Sequence, residues 1–358
     1  MDLRIRSIPL KLRDPWAIAT DLSGDGAGAA DVSESVFVEL VGSGVVGLGE
    51  AAPSDRYGES CAGVRHFLKR VDPGRLSFED TEGSMAYLES VSPGEAAAKA
   101  AVNVALLDGA SRMAGKSLNA YLGLGFEDGR HVTSFSIGID SPGNIERKVR
   151  EAAAYPVLKL KLGAPSDREN FQALRNAAPG KPVRVDGNEA WASKEEALKN
   201  IEWLAEDGNV QFVEQPMHAA APNGDLAWLK ERSPLPLMGD ESYHTRADLE
   251  RCRERYHAVN VKLVKAGGVT GARQALEVAR EAGLMTMIGC MIESSILISA
   301  AAHLAALADH LDIDGNLLIS NDPYEGVASA GGVLSFAGAP ERTGLQARER
   351  KGLERTPD

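Results

Sequence analysis

Six short apolar runs in this 358-residue sequence each finish on a side chain that can do chemistry: Lys161, Asp186, Glu214, Asp240, Lys262 and Cys290, in that order. Three of them, Asp186, Glu214 and Asp240, are carboxylates in consecutive runs. They form a hard-oxygen donor set that suits Mg²⁺, with Mn²⁺ as the alternative, and suits zinc poorly. One carboxylate at the end of a strand is ordinarily a helix cap or a surface charge, but three in consecutive runs flanked by lysines ask for a shared partner. A lysine close to cations has its pKa lowered towards neutrality and can serve as a general base, so lysines on both sides of the carboxylates suggest proton transfer. In Leu158-Lys159-Leu160-Lys161-Leu162 a period of two puts both lysines on one face and the leucines on the other. If the leucines pack outward against helices, the lysines point inward, where an ammonium is costly without anionic partners.

Elements must bring these residues together. The run ends lie 22 to 28 residues apart, the length of a strand, a helix and two short loops, with amphipathic stretches such as Lys194 to Asp207 and Ala272 to Ala282 between them. Such repeated βα units build a parallel sheet, and enough of them occur to close a barrel whose strand ends ring one mouth. Upstream, residues 1 to about 50 alternate as a small antiparallel sheet. Ser23 to Asp31 reads as a flexible loop inside that sheet, and Pro93 to Leu122 is helical in spacing. Gly42-Ser43-Gly44-Val45-Val46-Gly47 satisfies G-x-G-x-x-G but sits between two strands, so it reads as a hairpin turn and not a dinucleotide site. Lys265, beyond the end of its run, reads as a loop or rim charge, and His303 as a core residue.

Composition narrows the function classes. Fifty-one acidic against 39 basic residues give a net charge of −12 without a Lys/Arg block, which argues against nucleic acid and acidic membrane surfaces as partners. Cys61, Cys252 and Cys290 have no C-x-x-C spacing, so a reducing cytoplasm is expected in place of a disulfide framework. The most apolar run, Ile296 to Ala308, falls short of the ~20 residues that span a bilayer. It reads as a buried helix, and the charged N-terminus does not read as a signal peptide.

Lys159-Leu160-Lys161, Val185-Asp186-Gly187-Asn188, Glu214-Gln215-Pro216, Gly239-Asp240-Glu241-Ser242 and Asn260-Val261-Lys262-Leu263 resemble the motif series of the enolase superfamily, in its muconate-lactonizing branch. Ala98-Lys99-Ala100-Ala101-Val102-Asn103, followed by Ala105 to Gly109, is similar to that family's cap helix. The resemblance implies an α/β protein: a (β/α)₇β TIM-like barrel over residues 126–324, with an α+β capping domain over 1–125 to which 325–358 returns. It implies metal ligands Asp186, Glu214 and Asp240, with Asn188 supporting them. Lys161 and Lys262 would be an opposed acid/base pair, with Lys159 as an electrostatic helper to the enolate.

Within that branch, Leu311-Asp312-Ile313-Asp314-Gly315 resembles the Asp-x-Asp signature with which dipeptide epimerases bind a substrate α-ammonium. Gly289-Cys290-Met291-Ile292-Glu293-Ser294 is similar to the same subgroup, which makes Cys290 and Glu293 candidates for substrate contact. Two inward carboxylates need a cation, and a substrate ammonium would supply one. The implied activity is inversion of the α-carbon of a dipeptide's C-terminal residue, in a homo-oligomeric enzyme. N-succinylamino-acid racemase, o-succinylbenzoate synthase and cycloisomerase are the alternatives on the same barrel. The resemblance implies that the loop after the first strand closes over the site as a lid, and the segments there lean acidic: Pro15 to Leu22 holds Asp21 and no Lys or Arg, and the next loop, Ser54 to Glu59, holds Asp55 and Glu59 against Arg56. Asp21 or Asp55 is therefore expected to favour a neutral or cationic C-terminal side chain, with Arg56 as the one group that could meet an anionic one.

Overall fold

The computed structural model describes residues 1–22 and 28–351, so part of the glycine-rich stretch Ser23 to Asp31 lies outside the described residues. Strands β1 (Asp2–Trp16), β2 (Ala30–Gly42) and β3 (Val45–Ala51) pair antiparallel in that order. Ser43 and Gly44, at φ of 50° and 77°, make the tight β2–β3 hairpin, so the glycine pattern is the expected turn. The helices Cys61–Arg70 and Thr81–Val91 follow, started by the side chains of Ser60 and Asp80, which accept from the N–H groups of Gly63 and Gly83. The long helix Ala96–Met113 is buried along nearly its whole length against β3. Gly47 and Gly49 permit that approach, since a side chain on either would strike the helix carbonyls of Ala105 and Ala101.

Eight parallel strands then form the second sheet: β4 (Phe135–Ile137), β5 (Leu158–Lys161), β6 (Val183–Asp186), β7 (Val210–Glu214), β8 (Leu237–Gly239), β9 (Ala258–Lys262), β10 (Met285–Gly289) and β11 (His310–Asp312), paired in sequence order. A helix fills each of the seven connections, from Pro142–Glu151 to Ser295–Ala302. The ring closes between β11 and β4 through the parallel bridge Thr133–Leu311 and the hydrogen bond from Ser134 N–H to Leu311 O, 3.1 Å. Asp240, Cys290 and Asp314 fall just past their strands, as the first or second residue of the mouth loops.

Leu158, Leu160 and Leu162 pack into the main core outside the ring, leaving Lys159 and Lys161 inside, as the alternation requires. Phe212, Met238, Ala258 and Met287 make a separate small cluster of inward side chains below the charges. The apolar run from Ile296 becomes the buried helix Ser295–Ala302 and a 3₁₀ turn, Ala305–Leu307. His303 is fully buried, stacked on Phe336 with ring centroids 4.3 Å apart. Among the described residues no helix is long and apolar enough to cross a membrane.

Two buried carboxylates join the layers. Glu50 on β3 accepts from the N–H and Oγ of Ser294, at 2.9 and 2.6 Å, at the start of the last barrel helix. Asp108, on the long cap helix, accepts from Leu48 N–H at 2.9 Å and from Leu345 N–H at 2.7 Å, and it is paired with Arg112. It thus ties β3, the helix and the C-terminal segment at one point. Replacing Asp108 with Ala leaves two buried N–H groups without acceptors, each costing about 1–3 kcal/mol. Urea unfolding of Asp108→Ala is expected to show a loss of roughly 2–5 kcal/mol, and a loss well below that would show that water replaces the carboxylate.

Candidate active site

At the barrel mouth, ligand oxygens of Asp186, Glu214 and Asp240 all lie within 4.8 Å of one another, and all three side chains are buried. The register explains this: Lys161 pairs with Asp186 and Asp186 with Glu214 across β5, β6 and β7, so equivalent positions of adjacent strands are stacked at one level. Lys159 Nζ sits beneath them, 3.0 Å from Asp186, 2.8 Å from Glu214 and 2.7 Å from Asp312. Lys161 Nζ donates to Asp186 at 2.7 Å, and Lys262 Nζ lies 2.9 Å from Asp240 on the other side of the triad. Lys265 is no rim charge. It is buried, and its Nζ reaches both the backbone oxygen and Oδ1 of Asp240 at 2.5 Å.

The electrostatics follow from this crowding. Burial opposes the charge on Lys159 and Lys262, but the facing carboxylates more than offset it, led by Asp186 for the first and Asp240 for the second, and both lysines are held well above their usual range. The expectation of lysines lowered by cations is therefore not met by the protein's own residues, because carboxylates surround them. Glu214 is pushed up to about 7 by burial and by Asp186, and Glu241 to about 8 by burial and by Asp240. At this mouth Asp186, Glu214, Asp240, Glu241, Asp312 and Asp314 face Lys159, Lys161, Lys262 and Lys265, six acids against four lysines. The surplus of carboxyl groups over lysines and an all-oxygen donor set fit a divalent cation. Asn260 Nδ2 donates to Glu214 Oε1 at 2.8 Å, while Asn188 gives its N–H to Asp186 Oδ1 at 2.9 Å and its amide to Glu241 at 3.3 Å.

Asp312 and Asp314 both face β4, although Asp314 lies beyond its strand. Asp312 accepts from Ser134 Oγ at 2.6 Å and pairs with Lys159. Burial favours its protonated form, but Lys159 and then Lys161 draw it well below the usual carboxylate range. Its cation is thus a lysine already in the protein. Asp314 accepts from Ser136 N–H at 2.6 Å and has no ion-pair partner among the described residues. Burial and the neighbouring Asp312 push it up to about 7.

Above these groups lies a cleft of about 580 Å³ between mouth and cap. Lys159, Lys161, Lys262, Asp312, Asp314 and Cys290 line it from the barrel, while Asp21, Asp55, Arg56 and Tyr57 line it from the cap, with Trp16, Ile18 and Val32. Asp21 also accepts from Ile18 N–H at 2.9 Å. Glu293 does not line the cleft. It folds back under its own loop to accept from Met291 N–H at 3.0 Å, and burial holds it at about 8.

Residues 144–344 match the enolase C-terminal domain-like family. The L-Ala-D/L-amino acid epimerase of Pedosphaera parvula is 57% identical over 351 residues, covering 98% of this chain and all of that protein. The chain belongs to the enolase superfamily, in its dipeptide-epimerase branch. The substrate-liganded L-Ala-D/L-Glu epimerase from Bacillus subtilis superposes with a TM-score of 0.87 at 28% identity, covering 96% of this chain and 97% of that one. A dipeptide epimerase from Cytophaga hutchinsonii, in complex with Mg and D-Ala-L-Val, gives 0.87 at 27% identity over 98% and 96%.

In this branch member the residues that sequence reasoning passed over are those that hold the others. Gln215, at φ 35°, accepts from the N–H groups of Asp240 and Ser242 and donates to Met217 O, fixing the β7 and β8 loops together. Asn260 carried a readable signal, because it precedes Lys262 by two and so shares its inward face.

The raised Asp314 has a consequence for stability. Between its ordinary value of 3.8 in the unfolded chain and about 7 in the folded one, folding takes up a proton, so its contribution is present at low pH and is lost as pH rises through about 7. Asp314→Asn removes that titration. Urea unfolding of metal-free protein at pH 5 and pH 8 is expected to show wild type gaining on the variant at pH 5, and an equal difference at the two values would contradict the assignment.

Proposed function

We propose that this enzyme is a Mg²⁺-dependent dipeptide epimerase that inverts the α-carbon of the substrate's C-terminal residue by two-lysine proton transfer. The observation that carries the reading is the placement of Lys161 and Lys262 at opposite ends of the carboxylate triad, 2.7 Å from Asp186 and 2.9 Å from Asp240, both opening on one cleft. Asp186, Glu214 and Asp240 would hold a divalent cation, Mg²⁺ or alternatively Mn²⁺, which would supply Lewis-acid charge for the substrate carboxylate and would weaken the hold of Asp240 on Lys262. The magnesium in the Cytophaga hutchinsonii complex supports this choice.

One lysine, as the free amine, takes the α-proton. The electron pair moves into the carboxylate to give an enediolate, and the other lysine, as the ammonium, returns a proton to the opposite face. Lys159 is suited to stabilise the enediolate and not to move protons, because its three carboxylate contacts keep it charged. Asp314, a carboxylate without an ion-pair partner among the described residues, receives the α-ammonium, with Asp312 beside it; N-acyl substrates bring no cation to this place. Cys290 contacts substrate at the mouth and is no nucleophile, since burial holds its thiol well above the usual range. The acidic and apolar cap wall, with Asp21 and Asp55, favours a neutral or cationic C-terminal side chain.

In deuterated solvent, Lys161→Ala is expected to retain α-proton exchange from one epimer and Lys262→Ala from the other, while each loses epimerisation by about 10²–10⁴-fold. Near wild-type epimerisation by either variant would overturn the two-base scheme.

A further inference from the structure

Arg56 is, among the described residues, the one cation that the cap contributes to the cleft wall, and it is not free to meet substrate. Its Nε and Nη2 donate to the two carboxylate oxygens of Glu189 at 2.6 and 2.7 Å, a fork-to-fork pair. The Glu189 side chain is 2% exposed, against 35% for Arg56, and its Oε1 also accepts from Ala219 N–H at 2.6 Å. The carboxylate is thus anchored on the barrel side, and the guanidinium is drawn to it.

The backbone that delivers Glu189 is unusual. Asn188 and Glu189 are consecutive non-glycine residues in the left-handed region, at φ of 40° and 66°. Surroundings hold this conformation: Glu189 N–H donates to Gln215 O at 2.8 Å and Ala190 N–H to Gly187 O at 3.0 Å. The same turn that aims Asn188 at the triad therefore aims Glu189 beneath the lid. On the lid side, Arg56 sits in the single 3₁₀ turn Asp55–Tyr57, whose Ser54 cap accepts the Arg56 N–H. The latch joins two built turns and not two loose chains.

We infer that Glu189 determines side-chain specificity by occupying the guanidinium of Arg56 in the cleft wall, so that it is not available to the substrate. An anionic C-terminal side chain has to compete with a buried carboxylate already bound to both arms of the guanidinium. A neutral or cationic one meets only Asp21, Asp55 and the apolar wall. This inference rests on the reading of the substrate as a dipeptide, and it adds the residue that sets which dipeptide.

The test compares kcat/KM for L-Ala-L-Glu and L-Ala-L-Leu in wild type, Glu189→Gln, Arg56→Gln and the double variant. Glu189→Gln keeps an oxygen for Ala219 N–H but presents no anion to Arg56, and it is expected to raise the Ala-Glu to Ala-Leu ratio by about tenfold or more. The double variant is expected to return to the wild-type ratio. Arg56→Gln alone is expected to leave that ratio within about twofold, even if both rates fall with a looser lid. An unchanged ratio in Glu189→Gln, or a fall of about tenfold in Arg56→Gln, overturns the inference while leaving the dipeptide reading intact. An enzyme that epimerises no dipeptide overturns both. Should Glu189→Gln fail to fold, Glu189→Met, of similar length and without charge, makes the same comparison.

Discussion

Lys159 carries its ammonium where the side chain is 1% exposed, and three carboxylate oxygens stand within 3.0 Å of it. A buried charge of this kind is tolerated only when paired, and removing one partner from such a group is strongly destabilising. The rest of the mouth follows from that constraint. Each carboxylate that neutralises Lys159 brings its own burial cost, which Lys161 offsets at Asp186, Asn260 at Glu214 and Ser134 at Asp312. The surplus of carboxyl groups over lysines that remains suits the mouth to positive charge.

A cluster so dense in like charges needs rigid support. Parallel pairing from β4 to β11 supplies one layer of it and the loop-to-loop bonds of Gln215 another. The cap supplies the third: Glu50 receives the N–H that starts the last barrel helix, and Asp108 binds the cap's helix to its sheet and to the C-terminal segment. The cleft therefore lies between two bodies joined by buried hydrogen bonds on one side and by the Arg56–Glu189 pair on the other.

Much of this was legible in the sequence because β strands convert spacing directly into direction. Leucine and lysine alternating over Leu158 to Leu162 marked two inward ammonium groups, and carboxylates ending successive runs marked one mouth. What stayed hidden depended on contacts between elements. Nothing in the spacing of Lys265 tells that it turns back onto Asp240 from beyond its strand. Glu293 belongs to a mouth motif yet points under its loop, because a backbone N–H two residues earlier offers it a partner. The pairing of Asp312 with Lys159 joins residues 153 positions apart, and only closure of the barrel brings them together. The direction of the lysine shifts depended likewise on which charges face each ammonium, and those are carboxylates.

In the proposed mechanism two lysines on different strands address opposite faces of one carbon. The most direct measurement is a crystal structure of the Mg²⁺-loaded enzyme with a bound dipeptide. Lys161 Nζ and Lys262 Nζ are each expected about 3–3.5 Å from the α-carbon of the C-terminal residue, one on each face, with the substrate ammonium on Asp314. Both lysines on the same face, or an α-carbon out of reach of either, would contradict it.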